Sequence, residues 1–234
     1  MSGRPWKPGK RSWVEPCLVL IPLFALIGLG LLACVQRGSG GGQGPFLQKI
    51  EGPTVLGPGG KTRLSVLGSG TGPISWTLLP IGLGDFVVDK PQSVVQPTQP
   101  LPSYHSEGTF FAGPTFGTCD LIATAGTGSA SYRSVVTLRI VQGIAILPSV
   151  SQVTLTPRYQ KEISTPVLYP NYPPELIPQG VTWIPEGDFA DGKIIPWLPG
   201  KLLFNAPTTP GTYAIKGKAE ADPNATALIR VTVQ

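Results

Sequence analysis

The residues that decide the fold are GKLLFNAPTTPGTYAIKGKAEADPNATALIRVTV, at positions 200–233. Two runs of alternating apolar and polar residues stand here between clusters of Gly, Pro, Asp and Asn, a pattern typical of short strands joined by tight turns. Since successive side chains of a strand point to opposite faces, Lys216 and Lys218 mark a face in water. The opposite, core-facing set is Tyr213, Ile215, Gly217 and Ala219. The stretch therefore predicts strands with one buried face, as in a β-sandwich.

The same landmarks recur earlier in the chain, at an interval of about 95 to 107 residues. Trp76 corresponds to Trp183, and each is followed by a run that ends in Gly-Pro or Ala-Pro. A Gly-Thr pair then opens a long strand, and an alternating Val-rich strand closes each half. This interval is too long for a solenoid repeat and suits tandem domains, which we predict at residues 46–142 and 143–234.

This order of landmarks resembles the bacterial immunoglobulin-like domain families of the group 2 type. The resemblance implies an all-β chain with two tandem immunoglobulin-like β-sandwiches, preceded by an N-terminal signal and lipid-anchor helix. In such sandwiches a buried strand tryptophan packs between the two sheets. The structural core residues expected here are Trp76, Cys119, Trp183 and Tyr213.

A second informative stretch, CLVLIPLFALIGLGLLAC at residues 17–34, has no charged residue and follows a segment with four basic residues. This is the layout of a secretory signal peptide. Its ending, Leu31-Leu32-Ala33-Cys34, resembles the lipobox of bacterial lipoproteins. The resemblance implies that residues 1–33 are a cleaved signal peptide and that Cys34 is the site of lipid attachment, with palmitate among the acyl chains.

The alternative is an uncleaved transmembrane helix, because about 18 apolar residues just span a bilayer. In both cases the positive flank stays inside and the rest of the chain lies outside the cytoplasm. The lipoprotein interpretation predicts an exported chain, lipid-anchored to the cell membrane or outer membrane and facing the periplasm or the exterior.

Residues 34–45 are rich in Gly and Ser and are predicted to form a flexible tether. The formal net charge of the chain is +5, but the leader before the apolar stretch contains four of the 18 basic residues. The remainder is nearly neutral, which gives no electrostatic basis for binding nucleic acid.

Two Pro-rich segments interrupt the repeat. Residues 89–107 are predicted to form an extended loop at the edge of the first sandwich, where proline also limits pairing with other chains. Residues 169–178 are a similar interruption before Trp183. About two residues near position 142 link the domains, and so short a linker predicts a semi-rigid joint.

Catalytic, metal and cofactor sites find little support in the sequence, and we expect a non-enzymatic protein without a cofactor. Cys17 lies in the signal peptide and Cys34 is the lipid position, which leaves Cys119 alone; the one His of the chain, His105, falls in a Pro-rich segment. A core position is therefore favoured for Cys119 over a catalytic thiol. The acidic residues have no zinc or calcium spacing, and the cluster Glu186, Asp188 and Asp191 is interpreted as turn residues.

Aromatic residues beside proline suggest a binding surface for a protein or a glycan. The residues predicted for it are Tyr104, Tyr169, Tyr172 and Trp197. The first hypothesis is a cell-envelope lipoprotein that acts as a spacer and protein-interaction module. The alternatives are a surface adhesin or carbohydrate-binding lipoprotein that uses the Pro-aromatic loops, and an accessory subunit of an envelope assembly attached by edge-strand pairing.

Overall fold

The computed structural model describes residues 45–69, 71–89, 93–95, 103–126 and 131–234. The predicted signal peptide, Cys34 and the tether up to residue 44 lie outside these residues. Residues Gly44–Gln234 form one compact unit. Nine strands make up the first half of the described chain: β1 (Phe46–Leu47), β2 (Val55–Leu56), β3 (Lys61–Ser69), β4 (Ile74–Leu79), β5 (Gly84–Val88), β6 (Ser93–Val95), β7 (Ser103–Ala112), β8 (Gly117–Ala125) and β9 (Tyr132–Ile140).

The second half has nine strands and one short 3-10 turn, Pro174–Leu176. The strands are β10 (Ala145–Ile146), β11 (Gln152–Leu155), β12 (Gln160–Ser164), β13 (Val167–Leu168), β14 (Val181–Glu186), β15 (Lys193–Leu198), β16 (Lys201–Asn205), β17 (Gly211–Ala219) and β18 (Thr226–Val233). No helix among the described residues is long and apolar enough to cross a membrane.

The two halves repeat one topology. In the first, one sheet has the order β2-β9-β8-β4 and the other β1-β3-β7-β5, with β6 also paired to β7. In the second, the sheets run β11-β18-β17-β14 and β12-β16-β15, with β10 paired to β13. Strands β2 and β11 each lie parallel to the last strand of their half, and the other pairs are antiparallel. This is a pair of immunoglobulin-like sandwiches, and the predicted all-β class is confirmed.

Each sandwich encloses its own apolar cluster. Leu64, Phe110, Leu121 and Leu138 are buried in the first, as are Ile163, Leu202, Phe204 and Ile229 in the second. Strand β17 alternates as its sequence predicts, with Ile215, Gly217 and Ala219 buried and both lysines exposed. Alternation therefore places one face of each long strand in a core.

The four residues expected in the cores lie at different depths. Cys119 and Trp183 are buried. Trp76 is half-buried against the first cluster, where its indole Nε1–H donates a hydrogen bond of 2.8 Å to Ser106 Oγ. Tyr213 is half-buried against the second, and its hydroxyl donates to the Thr209 carbonyl at 2.8 Å. The indole N–H of Trp76 and the hydroxyl of Tyr213 thus both have a hydrogen-bond partner.

The prediction of an extended loop at residues 89–107 was wrong for part of the segment. Strand β6 lies inside it, and β7 begins at Ser103, so that its last five residues are paired strand. The reason is the length of β3, whose nine residues pair with β7 from Lys61↔Phe111 to Ser69↔Ser103. A strand of that length needs a partner along its whole edge, because unpaired backbone groups are costly when buried.

A third apolar cluster joins the two sandwiches. It combines Val55 of the first half with residues of the second half, namely Ile144, Ile146, Val167, Ile177, Ala219, Ala221 and Ala225. Backbone hydrogen bonds cross the same junction from Gly57 N to Ala221 O at 2.7 Å and from Lys61 N to Glu220 O at 2.9 Å. The sandwiches are therefore docked on each other by apolar packing and main-chain bonds.

Candidate functional site

A cleft with a volume of about 910 Å³ lies at this junction. Its walls come from β3 and β7 of the first sandwich and from β14 and the β15–β16 turn of the second. We call it the junction cleft. It is lined by Pro53, Lys61, Thr62, Arg63, Thr109, Phe111, Thr165, Pro178, Gln179, Gly180, Val181, Thr182, Trp183, Pro196, Trp197, Leu198, Pro199, Gly200, Lys201 and Glu220. Ligand sites in proteins have volumes of about 300–1,000 Å³, so the size is suitable.

One wall of the junction cleft is the free edge of β14, which pairs with β17 on its other side only. The Gly180 carbonyl accepts a hydrogen bond from Glu220 N at 2.9 Å, which sets the alternation of the antiparallel ladder. By that alternation, the N–H and C=O groups of Val181 and Trp183 point away from β17. Pro185 occupies the next outward position, where its missing N–H costs no bond to β17.

Two aromatic rings from different sandwiches border the junction cleft. Trp197 on β15 is 56% exposed, and Phe111 on β7 is 45% exposed. Leu198 beside Trp197 is also exposed. Large apolar side chains that remain in water at the rim of a concave surface are typical of interaction sites.

The base of the junction cleft is held by the side chain of Gln179. Its Oε1 accepts from Val167 N at 2.9 Å, and its Nε2 donates to the carbonyls of Val167, Pro174 and Ile177. Thr165 lies beside it, is only 1% exposed and has no hydrogen-bond partner for its hydroxyl. Gln179 therefore ties together several backbone segments at the base of the cleft.

Charged residues of both signs line the junction cleft, with more cations than carboxylates. Lys61, Arg63 and Lys201 face it together with Glu220. Lys61 Nζ lies 3.8 Å from Glu220 Oε1. The other carboxylate partners lie outside the lining: Arg63 Nε is 3.1 Å from Glu107 Oε1 and 3.6 Å from Asp89 Oδ2, and Lys201 Nζ is 2.6 Å from Glu162 Oε1.

The structure does not bring together the four residues predicted for a binding surface. Trp197 lines the junction cleft. Tyr104 lies on β7 and packs against the first core. Tyr169 and Tyr172 stack on each other, with 5.1 Å between ring centroids, and belong to the apolar cluster of the junction. Arg139 of the first sandwich lies over the Tyr172 ring at 5.8 Å, so this pair helps to join the sandwiches.

Sequence reasoning missed the free edge of β14. The local signal was available in Pro185, because proline inside a strand pattern indicates an edge strand. Gln179 and Thr165 carried no such signal, since their roles depend on contacts between segments far apart in the chain.

The described residues offer little for catalysis. Burial, with a smaller contribution from the charge of the neighbouring Asp120, raises the pKa of the Cys119 thiol to about 11, so the thiol is protonated at neutral pH. Among the acidic cluster, Asp188 Oδ1 accepts from Ala190 N at 2.9 Å and Asp191 accepts from the N–H and hydroxyl of Thr208, both at 2.8 Å. In the part of the chain that the structure describes, no three His, Cys, Asp or Glu side chains are grouped to hold a metal ion.

No protein-family profile and no curated protein matches this sequence. Among solved structures, a chimeric titin Z1Z2 fragment carrying an exogenous decorin peptide is similar at 15% identity and a TM-score of 0.36, over 81% of this chain and 96% of that chain. The adhesin InvE of Yersinia pseudotuberculosis is similar at 13% identity and a TM-score of 0.33, over 83% of this chain and 62% of InvE. The D0-D1 domain of intimin has 11% identity and a TM-score of 0.28, over 80% and 98% of the two chains. These values are too low to transfer a function or a ligand from those proteins.

Proposed function

We propose that this protein is a non-enzymatic interaction module of the cell envelope, held at a membrane by a lipid on Cys34, and that the junction cleft is its binding surface. The observation that carries the proposal is the cleft itself, which is bordered by the exposed rings of Trp197 and Phe111. Its two walls come from sandwiches that are docked by apolar packing and main-chain bonds. A site built on docked elements loses little conformational freedom when it binds.

The proposal of membrane attachment is based on the sequence of residues 17–34, and the modification state of Cys34 tests it. The N-terminal peptide of the membrane-extracted protein should be analysed by mass spectrometry in the native host, beside a Cys34→Ser variant. We expect the wild-type chain to begin at a lipid-modified Cys34 and the variant to retain its leader. An unmodified leader that continues through Cys34 in the wild-type chain would contradict the lipid anchor and favour an uncleaved membrane segment.

Binding by the junction cleft is tested with the full chain against two probes, a display library of random decapeptides and a panel of immobilised oligosaccharides. Trp197→Ala should weaken binding of any selected ligand by at least about ten-fold, as expected for an aromatic contact residue. Tyr159→Ala is the matched control, because Tyr159 is 54% exposed on the same sandwich and does not line the cleft. Equal binding by wild type and both variants would show that the cleft is not the binding surface.

A further inference from the structure

The free edge of β14 determines what kind of ligand the junction cleft accepts, if the proposed function holds. Val181 and Trp183 both turn an N–H and a C=O away from β17, and no hydrogen bond to these groups is found among the described residues. The two residues are spaced about 6.6–6.8 Å apart along the strand, which is the repeat of one more paired strand. An extended polypeptide is the ligand that presents complementary groups at this repeat.

One other edge strand of the second sandwich, β12, is protected against such pairing. Strand β12 is an edge strand that carries Gln160, Lys161 and Glu162, all exposed, and charged edges discourage the addition of a further strand. Strand β14 has no charged residue before Glu186 and carries an exposed Ile184. Its edge also borders a cleft, which gives an added strand apolar side walls.

The side chains around the junction cleft indicate the composition of the ligand. Three cations and one carboxylate face the junction cleft, while the acidic partners of Arg63 and Lys201 lie outside it. Lys61 is paired with Glu220, so the three cations together have four carboxylate partners, and the local charge does not favour an acidic ligand. The rings of Trp197 and Phe111 favour an aromatic or aliphatic side chain in the same segment.

We propose that the junction cleft binds an extended segment of a partner polypeptide with an aromatic or aliphatic side chain, which pairs with the free edge of β14 as an additional strand between Trp197 and Phe111. The main chain of β14 supplies affinity for the backbone of the segment. The exposed rings of Trp197 and Phe111 contact its apolar side chain.

A proline substitution tests the pairing directly. Val181→Pro removes an outward N–H and places the proline ring at the free edge. It breaks no hydrogen bond to β17. Pro185 already occupies another outward position of the same strand. Gln160→Pro is the matched control. The hydrogen bond from Thr165 N to Gly200 O sets the alternation between β12 and β16, and by that alternation the N–H of Gln160 points away from β16. Gln160 does not line the junction cleft.

Decapeptides selected from the random library are then measured against the full-length variants, with thermal unfolding as a check on folding. We expect the selected peptides to bind Val181→Pro at least about ten-fold more weakly than wild type and to bind Gln160→Pro like wild type. Methylation of the peptide backbone should abolish binding at alternate residues only, since every second N–H points to β14. Amide exchange at Val181 and Trp183 should slow on binding, which a mere loss of stability does not produce.

The outcomes separate this inference from the proposed function. If Trp197→Ala weakens binding while Val181→Pro does not, the cleft binds its ligand without strand addition, and the inference is overturned alone. If only oligosaccharides bind, and depend on Trp197, a polypeptide ligand is excluded. If no probe depends on Trp197, both proposals fail.

Discussion

Substitution of Gly217 tests the packing that positions the wall of the junction cleft. In the register of β14 and β17, Gly217 lies opposite Trp183. A Cβ added at Gly217 would lie 2.6 Å from Cζ3 and 2.7 Å from Cη2 of the Trp183 ring, closer than real carbon contacts. Trp183 is 8% exposed and belongs to the second core, so the ring has no free space into which to move.

The expected cost follows from overpacking. Inserting a methyl group into a filled core costs about 1–3 kcal/mol, and a cost of about 2 kcal/mol lowers Tm by about 4–8 °C in a unit of this size. Differential scanning calorimetry of Gly217→Ala measures this change. Gly211→Ala is the matched control on the same strand, because its added Cβ would meet only Tyr213, at 3.5 Å, which is ordinary contact.

A double substitution identifies the cause. In a Trp183→Leu background the added methyl group has room, so Gly217→Ala should cost less there than in the wild-type chain, with a coupling free energy of about 1 kcal/mol. If Gly217→Ala unfolds within about 1 °C of Gly211→Ala, the packing of Gly217 under the ring is refuted.

Three further predictions concern the junction, the buried thiol and an acidic turn. Gly60→Ala places a Cβ against the carbonyl group of Ala221 and so separates the two sandwiches, each of which should then unfold in its own calorimetric transition. A single transition at the wild-type temperature would contradict the docking of the sandwiches. Because burial raises the pKa of Cys119 to about 11, iodoacetamide at neutral pH should modify it only after denaturation, and rapid labelling of the native chain, read by peptide mass spectrometry, would argue against a buried thiol. Hydrogen bonds from Thr208 lower the pKa of Asp191 below 3.8, so its contribution to stability is present above that pH and is lost as the pH falls through the lowered value. Asp191→Asn should therefore lower Tm at about pH 6 and match wild type at strongly acid pH; a difference that persists in acid would point to another cause.

The sequence predicted the sandwich because the periodicity of a strand is a local property. Ile215 and Ala219 are buried as their spacing indicates, and Lys216 and Lys218 are exposed. The alternation also places Gly217 on the core face, but the sequence does not show why this position is a glycine. It depends on Trp183, which comes from a strand more than thirty residues earlier and meets Gly217 only in the folded register.

The extent of β7 was predicted incorrectly for a related reason. The prolines in residues 89–107 suggest a loop, and they are local signals. The pairing of Ser103 with Ser69 and of Tyr104 with Gly68 depends on how far β3 extends, which is a property of another segment. Tertiary pairing therefore overrides the local composition for residues 103–107.

Trp197 was predicted to be part of a binding surface, but the junction cleft itself was not predicted. Lys61 and Phe111 belong to the first sandwich, and Val181 and Trp197 belong to the second. Residues so distant in sequence meet only because the sandwiches dock through the third apolar cluster. The same docking explains why Tyr169 and Tyr172, which resemble a binding loop in sequence, are used inside the junction.

The repeat of topology indicates that the proposed site belongs to the pair of sandwiches and not to one domain. Strand β4 in the first sandwich occupies the same place as β14 in the second, and each is the edge of its sheet. Residues of β14 line the junction cleft and residues of β4 do not, because Lys61 and Arg63 of the first sandwich complete the wall beside β14. It follows that a substitution which loosens the junction, such as Gly60→Ala, should weaken peptide binding although Gly60 does not line the cleft.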